Sequence, residues 1–276
     1  MNVWKTIWSI SRRLVQSFLD DDINALAAES TYYFILGLIP FLIFFANGML
    51  FFAAPQMDMI LRLIQYLPSE VSMVIAHHVS QIVQARSSLW MILGLFLALW
   101  TFSNGVDTLI RGMDQICSRN RNVQSYVWVK GKSLVFTLFL SMAMIVSLLL
   151  MVFGNAMVYG ITDYLSVPPF LLELWTLVKF GIPFGMIAFS LSFFYYLAPK
   201  QRKRKGKLIL CASLCTTCLW IGLTWLYSYY MLHISTMGVT YGSLIGLVVL
   251  FIWFHLTALV ILLGGELIRV MESIEK

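Results

Sequence analysis

Charge is scarce in this chain: 12% of its 276 residues are Asp, Glu, Lys or Arg, about half the ~25% of soluble domains. That excludes a protein whose only solvent is water. Cysteine is sparse as well, with three of the four inside one apolar stretch, which excludes a disulfide-stapled secreted scaffold. Also missing are HExxH, GxSxG, a Walker loop and any cluster of carboxylates, so no enzyme, cofactor or metal is expected. His77 and His78 form the only His pair, and adjacent positions splay apart on a helix. What is abundant is oil-loving: 60% of residues are hydrophobic and the mean hydropathy is +0.83. The chain reads as an all-α polytopic membrane protein in a single transmembrane domain, 1–276, without soluble domain, internal repeat or low-complexity tract.

A helix rises ~1.5 Å per residue, so ~20 apolar residues cross the ~30 Å hydrocarbon layer. Six stretches qualify, at 31–54, 88–110, 133–159, 169–197, 208–232 and 239–270. The first 19 residues lack a continuous apolar core and a small-residue cleavage site, so within the leader at 1–22 no cleavable signal peptide is expected. Trp4, Ile7, Trp8, Ser11, Val15 and Phe18 recur at helical spacing there, which predicts an amphipathic helix in the membrane interface or packed on the ends of the spans. Residues 55–87 carry two apolar stripes either side of Pro68-Ser69, predicting short external helices.

Lys and Arg are almost absent from alternate connections. Only Arg62 and Arg86 stand between the first two spans, and the third and fifth connections have none. Apart from Lys179 inside the fourth span, the leader, the second and fourth connections and the tail hold the rest, including Lys200, Arg202, Lys203, Arg204, Lys205 and Lys207 within 199–207. By the positive-inside rule both termini are cytoplasmic, and an even number of spans agrees in placing them on one side. The net charge of +6 is thus spent on topology rather than on a nucleic-acid face, and no nucleic acid is expected. The basic run at 199–207 suits anionic membrane lipids, at about 1 kcal/mol per basic residue near the surface.

A charge in hydrocarbon costs from about 2.5 kcal/mol upward and needs a partner, a wet cavity or a route to the interface. Lys179 lies ten residues into the fourth span, roughly 15 Å deep. It precedes Gly181, Pro183 and Gly185, where proline is expected to break or kink the helix. A break beside a buried cation is how transporters build solute sites; a snorkelling Lys beside a plain proline kink is the alternative. His255, Leu259, Leu262, Glu266 and Arg269 share one face of the last span, where His255 is either a relay or a hydrogen bond between helices. Asp107 and Arg111, four apart in the acid-before-base order, are expected to pair, and Ser103 continues that face. Glu29 shares a face with Tyr33 and Pro40. Glu29, Asp107, Arg111, Glu266 and Arg269 all fall at one depth, so a polar cluster at the inner mouth is predicted, either a solute gate or a lock on helix ends. Cys211, Cys215 and Cys218 are expected to pack between helices rather than bind metal. Gly242 with Gly246, and Gly264 with Gly265, are expected to allow close helix approach.

Three segments resemble the BrkB/YihY family of bacterial inner-membrane proteins: 25–34 running to Pro40, 100–111, and Tyr241-Gly242-Ser243-Leu244 through Trp253 to Gly264-Gly265-Glu266-Leu267. Tyr195-Tyr196-Leu197-Ala198-Pro199 is similar to that family's fourth-span ending. The resemblance implies six helices in a bacterial cytoplasmic membrane and places Asp107, Arg111 and Glu266 on the family's polar motifs; Lys179 and His255 map onto none. Members have carried the label ribonuclease BN, which nothing in this sequence supports. The function expected is a transporter or flippase of an amphiphilic, anionic envelope molecule such as a lipid. The alternative is a non-transporting partner or assembly factor for envelope machinery. Six helices are few for alternating access, so a homo-oligomer or an envelope protein partner is expected.

Overall fold

A computed structural model describes residues 22–53, 87–117, 125–162, 169–199, 206–233 and 244–274. Among them stand six helices and no strand: α1 (Ile23–Ala53), α2 (Ser88–Cys117), α3 (Tyr126–Thr162), α4 (Pro169–Leu197), α5 (Gly206–His233) and α6 (Ile245–Ile274). All six are long and apolar enough to cross a membrane. Hydrocarbon offers no hydrogen bonds, so a spanning backbone must satisfy every N–H and C=O internally, and the helix does so within one segment. The leader at 1–21, the external connection at 54–86 and the basic residues Lys200, Arg202, Lys203, Arg204 and Lys205 lie outside the described residues.

The chain divides into two compact units. One comprises residues 34–102, with the second part of α1 and the first part of α2. Its seam is set by Gly94, where an added Cβ would lie 2.8 Å from the Phe44 nitrogen and 2.9 Å from the Pro40 oxygen. Phe102 fills the space over Gly37, with Phe34 and Phe41 ring centroids 6.4 and 6.3 Å away. At the far end Asn47 joins the two helices: its Oδ1 accepts from the Ser87 N–H at 3.0 Å and its Nδ2 donates to the Ile43 carbonyl.

The other unit holds the first turns of α1, the second part of α2, and α3 to α6. Neighbouring helices in the chain pack together there, α3 on α4, α4 on α5 and α5 on α6. Its interior is mostly apolar but also holds polar side chains, while many large apolar residues face outward. Ser30, Thr31, Ser103, Thr108, Lys130, Ser133 and Glu266 are buried, while Val135, Leu138, Phe189, Leu210, Leu219, Trp225 and Leu226 are exposed. Buried hydroxyls return hydrogen bonds to carbonyls one turn back, as Thr31 does to Ala27, Thr137 to Ser133 and Ser213 to Ile209, so they cost little in apolar surroundings.

The helices overrun the apolar stretches at one end of this unit. α1 begins eight residues before position 31, after Asp22, whose φ of 50° an Asp tolerates better than most residues. α2 continues seven residues past 110, and α3 begins seven before 133. Hydropathy marks where hydrocarbon is crossed, whereas a helix continues as long as neighbours satisfy its side chains. α4 spans 169–197 as expected, but as one continuous helix through Gly181, Pro183 and Gly185. Pro183 thus removes a donor without interrupting the helix, and the anticipated break is absent.

Two expectations for small residues are corrected. α5 buries Leu208, Ile209, Ala212, Ser213, Thr216 and Thr217, which leaves Cys211, Cys215 and Cys218 on the opposite, exposed face. Gly246 opens onto empty space, and Gly242 lies outside the described residues. Gly264 and Gly265 do permit close approach, for a Cβ there would strike the Tyr195 hydroxyl and Thr216 at the first and the Met113 sulfur at the second.

Two pairs of variants separate these glycines. Ala at a helical Gly gains about 1 kcal/mol of propensity, so Gly246→Ala is expected to hold or raise the melting temperature in detergent. Gly264→Ala must instead displace a buried Tyr195 and is expected to lose about 1–3 kcal/mol; Gly94→Ala and Gly48→Ala should differ in the same way.

Candidate functional site

The extended helix ends carry the polar residues. Glu29 on α1 faces α2, where its Oε1 accepts from Arg111 Nη2 at 2.7 Å and from Thr108 Oγ1 at 3.1 Å. Arg111 Nη2 also donates to Thr108 Oγ1 at 3.0 Å, and the neighbouring Ser30 hydroxyl donates to the Gly105 carbonyl at 2.7 Å. Sequence spacing suggested that Arg111 pairs with Asp107. It pairs with Glu29 instead, because α1 supplies a carboxylate at the helix surface whereas Asp107 points into the packed interior. Both partners of the Glu29–Arg111 pair keep contact with the surroundings, at 39% and 50% side-chain exposure respectively.

One turn deeper, Lys130 enters from α3. It is 5% exposed and donates from Nζ to Ser103 Oγ at 2.7 Å and to Asn104 Oδ1. Hydrogen bonds to a charged group are worth about 1.5–3 kcal/mol, which offsets part of the cost of burying the ammonium. Asp107 lies among these groups, 8% exposed, with Arg111, Lys130 and Glu29 as its electrostatic neighbours. Its Oδ1 is buried and accepts no hydrogen bond. Two acids and two bases therefore gather here, and their formal charges cancel.

A second group forms on α6. Glu266 is fully buried and meets Arg269 Nη2 at 2.9 Å, while Arg269 Nη1 donates to the Ile116 carbonyl at 3.2 Å. This ties α6 to the same end of α2. Tyr195 joins three helices nearby, donating to the Ile261 carbonyl at 2.8 Å beside Thr216. His255 Nε2 lies 3.1 Å from Asn24 Oδ1 at the start of α1.

Of the residues singled out by sequence, Glu29, Ser103, Asp107 and Arg111 come together; Glu266 and Arg269 form a separate pair at the same end. Lys179 and Pro183 are elsewhere. Lys179 precedes Tyr195 by sixteen residues, ~24 Å along α4, and its Nζ sits over the Phe180 ring, 5.7 Å from the centroid. His255 stands eleven residues before Glu266, ~16 Å along α6, in contact with α1. Lys207 is exposed on the first turn of α5. Sequence reasoning overlooked Lys130, counting it only as a loop charge. The signal was present: Lys130, Ser133 and Thr137 recur at helical spacing, all buried.

The two ion pairs should behave differently on mutation. Arg269→Ala removes the cation beside a wholly buried carboxylate and is expected to destabilise by about 3–5 kcal/mol, with Glu266→Gln on top restoring much of the loss. A double-mutant cycle on the half-exposed Glu29 and Arg111 should give a coupling of about 1 kcal/mol or less. Melting in detergent measures both.

The family model described as Virulence factor BrkB matches residues 14–276. The chain is 28% identical over 250 residues to the "Putative ribonuclease-like protein YfkH" of Bacillus subtilis (strain 168), covering 91% of this chain and 90% of that protein. It is 22% identical over 268 residues to a "UPF0761 membrane protein" of Kangiella koreensis, covering 95% of this chain and 63% of that protein, so it spans less than two thirds of that relative's length. No solved structure matches it. With six apolar helices and a family match over nearly its whole length, the chain belongs to the BrkB family of membrane proteins.

Proposed function

We propose that this protein is a bacterial inner-membrane transporter or flippase of an amphiphilic molecule with an anionic headgroup, such as a lipid, and not an enzyme. The observation that carries the reading is Arg111. Its Nη2 is held by Glu29 and Thr108, and half of its side chain is exposed. A guanidinium held through one nitrogen and half exposed is suited to a phosphate or carboxylate. Glu29 competes for the same cation, which makes the pair a gate that an arriving anion opens by exchange.

Support comes from the collection of positive charge at this end. Arg111, Lys130, Arg269 and Lys207 all lie there, and the basic run that ends at Lys207 draws anionic headgroups to the adjacent surface. By the positive-inside rule this end is cytoplasmic, and so are both termini. Lys179, half-buried in α4, is the second point at which a headgroup would be met on the way across. Alternating access with so few helices calls for a second copy or an envelope protein partner. The second reading, a non-transporting assembly factor, is favoured by Glu266, whose complete burial with Arg269 against Ile116 is a lock rather than a gate.

Purified protein in liposomes containing fluorescent phosphatidylglycerol is expected to equilibrate the label between leaflets. Arg111→Gln should slow this by roughly 10- to 100-fold, about 1.4–2.7 kcal/mol, and Lys179→Ala should slow it without lowering the melting temperature. Wild-type protein that leaves the label where it started, or a Lys179→Ala variant that only loses stability, would establish the assembly reading instead. Residues 200–207 are expected to resist impermeant lysine reagents in intact cells and react in inverted vesicles.

A further inference from the structure

We propose that Asp107 is a proton-binding site whose occupancy sets the charge of the Arg111 gate, so that a proton and an anionic headgroup bind together. The headgroup half of this statement rests on the function proposed above; the proton site stands on its own geometry.

Asp107 Oδ1 is shut away from water and lacks a hydrogen-bond donor, in a residue more than nine-tenths buried. A charged oxygen in that position is costly, while two nearby cations favour the charged form. Opposed effects of this kind let a carboxyl exchange a proton rather than hold one state permanently. The ionisable groups facing it are Glu29 from α1, Arg111 on its own helix and Lys130 from α3. On α6, Glu266 and Arg269 meet α2 around Met113 and Ile116, about two turns farther along.

A proton fits the orphan oxygen better than a metal cation does. Hard cations take a shell of several oxygens, but Ser103 Oγ and Asn104 Oδ1 already accept from Lys130, and Thr108 Oγ1 already accepts from Arg111. A proton needs only one lone pair. It comes from water and converts the carboxylate to a neutral acid, and the cluster of two acids and two bases changes from neutral to singly positive. The excess falls beside Arg111, whose half-exposed guanidinium then attracts an anion, and by linkage a bound anion strengthens proton binding by the same factor.

The test uses the full-length protein in detergent and has two arms. In infrared difference spectra between about pH 8 and pH 5, a protonated-carboxyl band is expected that Asp107→Asn abolishes, Asp107→Glu restores at a shifted frequency and Glu29→Gln retains. A band that persists in Asp107→Asn, or one that exchange of sodium for choline removes, overturns the proton site. Affinity for dihexanoyl-phosphatidylglycerol is then expected to rise roughly tenfold as pH falls across that titration, with proton uptake on binding, and both effects vanish in Asp107→Asn. Binding that ignores pH in the wild type overturns the coupling. The absence of phosphatidylglycerol binding at every pH, with the Asp107 band intact, overturns the headgroup reading and leaves the proton site standing.

Discussion

The absence of water from hydrocarbon governs this structure. Every polar group carried into the spans must find its partner in the protein, and the way each one does so separates scaffold from site. Hydroxyls such as those of Thr31, Thr137 and Ser213 solve the problem locally by bonding to a carbonyl one turn back, and those residues need nothing from the rest of the fold. Charged groups reach farther, even where, as with Glu266 and Arg269, a partner also stands one turn away on the same helix. Lys130 reaches α2, Glu29 reaches Arg111, and Arg269 bridges Glu266 to the Ile116 carbonyl. Long-range contacts of the cluster are therefore consequences of solvation before they are anything else.

The same constraint explains why the site sits at helix ends. Glu29, Arg111 and Lys130 lie on extensions that hydropathy does not mark, just outside the apolar stretches, where a charge is less expensive than at mid-depth. A helix that stopped with its apolar residues would leave these groups on loops and unable to hold a fixed geometry. Because α1, α2 and α3 continue past them, three helices present side chains to one another within hydrogen-bonding distance. Asp107 is the exception, buried and left with an orphan oxygen, and it is there that structural need alone does not account for the residue.

Glycine contributes in the opposite sense, by absence of side chain. Gly264 and Gly265 let α6 approach Tyr195, Thr216 and Met113, which brings Glu266 and Arg269 against the end of α2. The exposed glycines, Gly246 among them, make no such contact, and a GxxxG spacing by itself did not distinguish the two kinds. Spacing reports which residues share a face, and only a neighbour decides whether that face is covered. The three cysteines of α5 illustrate the same point from the other side of a helix.

Composition and hydropathy alone determined that the chain is helical, that it crosses the membrane six times and that its basic residues alternate between connections, because the bilayer imposes those patterns on any polypeptide regardless of its partners. The motif residues Glu29, Ser103, Asp107, Arg111 and Glu266 were legible as polar groups at one depth. Which of them pair was not, since a helical spacing of four makes Asp107 and Arg111 neighbours without forcing them to bond. Only the packing of α1 and α3 against α2 decided that Arg111 takes Glu29, that Lys130 is buried, and that Asp107 keeps an oxygen without a donor.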